Sequence, residues 1–75
     1  MTEDVLRSDT AGRVLEILKT PGEAVEAGDA IVMIEAMKME IPVASPGAGL
    51  VRALHVALDD MVEEDQPLAT LEIAR

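Results

Sequence analysis

The stretch IVMIEAMKMEIPV (residues 31–43) has two competing readings, and the choice between them decides the fold. Ala, Met, Lys and Glu are good helix formers, so propensity alone makes EAMKME (residues 35–40) a helix. The same stretch also holds Lys38, one of only two lysines in the chain, between Met37 and Met39. What surrounds it favours extended structure.

Sliding the sequence by 37 positions lays residues 11–36 on residues 48–73 without a gap. Ala11/Ala48, Gly12/Gly49, Val14/Val51, Val25/Val62, Glu26/Glu63 and Glu35/Glu72 coincide, and Ile17/Leu54, Ile31/Leu68 and Ile34/Leu71 match in character. Each half opens with a glycine, then has an apolar run, a polar turn and a second apolar run. GRVLEILK, DAIVMIE, GLVRALHVAL and PLATLEI are short, rich in Val, Ile and Leu, and bounded by Gly, Pro or acids, which reads as strand. Val14 and Ile17 lie three apart, as do Val51 and Leu54, so a β-bulge is expected at the same place twice. A helix over LVRALHVALDDMVEED is the competing reading, but its repeat partner holds Pro21, Gly22 and Gly28, which would interrupt it. Gly22 and Gly28 suit positive φ, and their counterparts Asp59 and Asp65 are among the few residues that tolerate it.

Two such halves close on each other, each covering the other's apolar face. The expected fold is therefore all-β: a flattened barrel or two-sheet sandwich with pseudo-twofold symmetry, in one domain over residues 1–75. Residues 1–9 precede the repeat and are expected to fray. EAMKMEIPVASP joins the halves, with Lys38 at its tip. Without aromatic residues the core must be aliphatic, and Met33 is assigned to it.

Composition excludes several functions. Six basic and fifteen acidic residues give a net charge of −9, which disfavours nucleic acid and anionic lipid. No apolar run approaches a membrane span. There is no cysteine, and MTEDVLRSDT lacks the basic start and apolar run of a signal peptide, so a cytoplasmic setting is expected. The acids Asp59, Asp60, Glu63, Glu64 and Asp65 lack calcium-loop spacing and read as a solvated turn; no metal site is expected. His55 has no second ligand or base near it in sequence and reads as a packed or surface histidine. With no nucleophile–base pair, the chain is not expected to be an enzyme.

EAMKME, together with PGEAVEAGD before it, EIPVASPGAG after it and MVEEDQPL near the end, resembles the biotinyl domain of biotin-dependent carboxylases. Ala36, Met37, Lys38 and Met39 match that family's Ala-Met-Lys-Met without change. The resemblance implies two four-stranded antiparallel sheets with the attachment lysine at a hairpin tip. It implies no thumb insertion, because residues 11–38 leave no room for one. It further implies that biotin is joined by an amide to Lys38, that a biotin protein ligase attaches it, and that biotin carboxylase and carboxyltransferase are the partners. The chain would then be a non-catalytic carrier of carboxyl groups, its acceptor unspecified. The related lipoyl domains usually carry Asp-Lys-Ala at the tip, so a lipoyl-type acyl carrier is the alternative, and a non-carrier interaction module of the same fold is a third reading.

An ordinary exposed lysine amine is almost wholly protonated at neutral pH, so activation is assigned to the ligase. Met37 and Met39 are expected to be exposed and read by the enzymes, since flexible thioethers suit adaptable interfaces. If the segment were strand, both would face away from Lys38. Glu35 either steers the ligase or plays a structural part, since it recurs as Glu72 where there is no lysine motif. Lys19 stands where the repeat has Val56; its stem would cover apolar surface and its amine reach water.

Overall fold

The computed structural model describes residues 1–74, and among these no residue is helical. Eight strands follow in order: β1 (Thr2–Arg7), β2 (Gly12–Ile17), β3 (Ala24–Val25), β4 (Ala30–Ala36), β5 (Met39–Ala44), β6 (Gly49–Leu54), β7 (Met61–Val62) and β8 (Pro67–Ile73). They form two four-stranded antiparallel sheets, ordered β1-β8-β6-β3 and β5-β4-β2-β7. The predicted two-sheet architecture is the observed one. The repeat overrides helix propensity because alternate residues of β4 and β8 bury a shared apolar face, whereas a helix would scatter it.

Strand and turn geometry follow the 37-residue offset closely. The register of β2 on β4 slips between Val14 and Glu16, leaving Leu15 extra, and that of β6 on β8 slips between Val51 and Ala53, leaving Arg52 extra. These are the two expected bulges. Gly22 and Gly28 have φ of 94° and 90°, and Asp59 and Asp65 have 70° and 67°. The turns close alike. Thr20 N–H donates to Glu23 Oε1 and Ala57 N–H to Asp60 Oδ2, each at 2.9 Å. Glu26 N–H donates to Asp29 Oδ2 and Glu63 N–H to Gln66 Oε1. Within the acidic run, Asp60 thus caps the turn before β7.

Three expectations need correction. Thr2–Arg7 does not fray: it is β1, paired along its length with β8. The repeat is also longer than residues 11–36, because β1 stands to β8 as β5 stands to β4, so residues 2–36 overlie 39–73. Only Met37 and Lys38 lie outside it within the joining segment. Finally, Met33 is not in the core. It lies between buried Val32 and buried Ile34 and shares the outer face of its sheet with Glu35. The core is Val, Ile, Leu and Ala from both sheets, centred on Val14, Ile31, Ile34, Val51, Leu68 and Leu71.

The molecule is elongated, 34 × 18 × 18 Å. β3 leads into the start of β4, which is the end remote from Lys38, and pairs with Gly49 and Leu50 beside Ile73. β7 pairs with Gly12 and Arg13, beside the Lys38 end of β4. Lys38 and the paired Thr2 and Ile73 therefore occupy opposite ends of the long axis.

Candidate functional site: the β4–β5 hairpin tip

Ala36 faces Met39 across the ladder, so Met37 and Lys38 alone make the turn. Their φ values are 52° and 64°. Positive φ at both central positions is the requirement of a type I′ turn, whose twist matches the flanking strands and which favours Asn-Gly. Met-Lys has no such preference, so the tip holds local backbone strain that the ladder on either side maintains. Met37 and Lys38 are turn residues, not strand residues, and the expected alternation of Met37 and Met39 against Lys38 does not apply to them.

The turn lifts its side chains clear of the sheets. Met37 is 93% exposed and Met39 63% exposed, and Lys38 is exposed too. Its amine has no hydrogen bond or ion pair with any of the described residues. Ala36, at 7% exposure, points inward and closes the end of the core. Of the motif residues it has the least surface to offer a partner.

Glu35 is held by Arg13, whose two terminal nitrogens reach Glu35 Oε1 at 3.0 Å and Asp59 Oδ1 at 2.6 Å. These bonds and charges hold the Arg13 guanidinium still more firmly protonated than an ordinary arginine, Glu35 contributing most. The ion pairs tie the base of the tip hairpin to the turn before β7. Gly12 allows that approach, because a Cβ there would overlap the backbone oxygen of Glu35. Gly49 stands in the same relation to the backbone oxygen of Glu72.

A shallow depression beside Lys38 is lined by Gly12, Arg13, Glu35, Met37 and Met61, among others. The structure thus brings Lys38, Met37, Ala36 and Glu35 together, with Met39 at the far side of the turn. Arg13 and Met61 escaped the sequence reading. The signal was in the repeat, where they stand opposite Leu50 and Ala24 and so depart from it in polarity and size. His55 lines a separate depression with Val5, Arg7, Gln66 and Pro67, and its Nε2 lies 2.7 Å from Thr70 Oγ1.

Residues 4–71 match the family profile described as biotin-requiring enzyme, the biotin/lipoyl-attachment family. The chain belongs to that family. This biotin/lipoyl-type domain is 37% identical over 71 residues to the biotinylated protein TB7.3 homologue of Mycobacterium leprae, covering 95% of this chain and 99% of that one. It is 39% identical over 71 residues to the mitochondrial propionyl-CoA carboxylase alpha chain of Homo sapiens, where it spans 10% of the relative's length. A dihydrolipoyllysine-residue acetyltransferase of Pseudomonas aeruginosa is 32% identical over 62 residues, covering 83% of this chain and 11% of that one. Among solved structures, a single-chain, multi-domain long-chain acyl-CoA carboxylase superposes with a TM-score of 0.91 at 33% identity, over 96% of this domain and 7% of that chain.

Proposed function

We propose that this chain is a biotin carboxyl carrier and that Lys38 is its attachment residue. The observation that carries the proposal is Ala-Met-Lys-Met displayed on a strained two-residue turn, with an unpartnered amine at its summit. The residues fit the group. An exposed primary amine forms an amide with an activated biotin carboxyl group. A biotin protein ligase supplies biotin as its adenylate. The Lys38 nitrogen replaces the adenylate on the biotin carbonyl carbon, AMP departs, and the nitrogen gives up a proton.

Once attached, biotin supplies a ureido nitrogen that carries a carboxyl group between biotin carboxylase and carboxyltransferase. The chain's own part is mechanical. The turn projects the lysine, the Arg13 ion pairs brace its base, and Met37 and Met39 offer deformable apolar surface for recognition. Tethering raises the local concentration of the group at both enzymes. The chain does no chemistry alone in this reading, and its setting is cytoplasmic, in keeping with a composition free of cysteine. The unchanged Ala-Met-Lys-Met favours biotin over lipoate.

The test is intact mass after incubation with biotin, ATP and a biotin protein ligase. One biotin adduct is expected, mapped to Lys38, absent from Lys38→Arg and retained in Lys19→Arg. A lipoyl ligase is expected to leave the chain unmodified. No adduct, where a control carrier is fully converted, sinks the proposal.

A further inference from the structure

The two halves build the same row of residues across the outer face of each sheet, one step below the end of the central strand. In one sheet the registers align Met61, Arg13, Glu35 and Glu40. In the other they align Ala24, Leu50, Glu72 and Glu3. Each row therefore sets two glutamates directly opposite on neighbouring strands, which is unfavourable for like charges unless a cation intervenes.

The rows meet this need differently. Away from the tip, the bulged Arg52 reaches both carboxylates: it bonds Glu72, and its Nε lies 3.4 Å from Glu3. In the tip half the arginine and leucine have exchanged places, Leu15 standing opposite Arg52 and Arg13 opposite Leu50. Arg13 spends its second nitrogen on Asp59 instead. The Glu40 carboxylate is left exposed, with no hydrogen bond or ion pair to any of the described residues. Glu40 follows Lys38 by two residues and faces the same side as Glu35. The Glu40 carboxylate thus lacks the arginine that its counterpart Glu3 has in the other half.

We infer that Glu40 is a docking contact for the enzyme that acylates Lys38, accepting a salt bridge from a lysine or arginine on that enzyme's rim. This rests on the carrier reading above. A partner cation would do for Glu40 what Arg52 does for Glu3, so docking removes a repulsion that the free carrier retains. Met61, at the end of the same row and 72% exposed, offers apolar contact beside it. Rim charges of this kind act on encounter and on salt dependence more than on chemistry.

The experiment measures initial rates of biotinylation of the whole chain by a biotin protein ligase, for wild type, Glu40→Gln, Glu40→Lys and the symmetry control Glu3→Gln. Expected are a KM raised about threefold by Glu40→Gln and about tenfold or more by Glu40→Lys, with kcat within about twofold. The salt dependence of kcat/KM should be shallower in Glu40→Gln, and Glu3→Gln should match wild type. Acylation of Lys38 by a small activated ester, read by peptide mapping, should be equal in all four, showing the tip undistorted. Wild-type KM in both Glu40 variants overturns the inference, as does an equal rise in Glu3→Gln. If wild type is not biotinylated at all, the carrier reading falls and takes this inference with it; modification insensitive to Glu40 sinks the inference alone.

Discussion

The hairpin tip at Lys38 and the opposite end of the molecule are related by the internal repeat, yet they are stabilised in different ways. At the opposite end, Ala74 N–H donates to Ala48 O at 2.8 Å, and Arg52 pairs with both glutamates of its row. At the tip, no described hydrogen bond joins the equivalent Met37 and Ala11, and Met37 and Lys38 adopt positive φ. One end satisfies its groups internally. The other leaves an amine, a carboxylate and two thioethers for a partner. The exposed motif thus lies where the internal symmetry fails.

The largest effects are expected at the glycines of the two ends. Gly12→Ala and Gly49→Ala each force a Cβ onto a backbone oxygen and should cost about 1–3 kcal/mol by denaturant midpoint. Only Gly12→Ala should also slow biotinylation, because Glu35 braces the tip and Glu72 does not. Next, Met37→Asn supplies a residue suited to the first position of a type I′ turn. It should raise stability by about 0.5–1 kcal/mol while lowering biotinylation kcat/KM, and unchanged kcat/KM would remove Met37 from the recognition surface. Smaller still, Asp65→Gly should stabilise by about 0.5 kcal/mol by relieving positive φ. Asp59→Gly should gain less, because it also releases the exposed ion pair with Arg13.

The smallest effect concerns Glu23. Hydrogen bonds from the Thr20 N–H and hydroxyl hold its carboxyl below the ordinary glutamate range. Its folded pKa is depressed, so its contribution is complete above the unfolded value and fades as pH falls through the folded one. Glu23→Gln should therefore lose a little stability near neutrality and none at pH below the folded value, so its acid limb is slightly flatter. An NMR titration midpoint for Glu23 at the ordinary value would contradict this.

Much of the architecture can be read in advance from the 37-residue offset. Both bulges and all four positive-φ turn positions outside the tip follow from residue types repeated at that spacing. The equivalence of β1 and β5 was harder to see, because only Glu3/Glu40 and Ser8/Ser45 repeat there and Pro42 obscures the strand. Met33 misled because an apolar side chain on the outer face carries the same signal as one in the core. The Arg13 pairs were invisible because their partners lie 22 and 46 residues away and meet only through sheet register. Lys38 was legible as the tip. Its turn type was not, since Met-Lys carries none of the usual type I′ chemistry.

The elongated shape gives the position of Lys38 a mechanical meaning. Thr2 and Ile73 are paired at one end of a body 34 Å long, and the lysine stands at the other. Anything joined to the chain at either terminus would grip it as one grips the handle of a lever. A hinge rotation of about 10° at that grip would sweep the far end through about 6 Å without deforming a single strand.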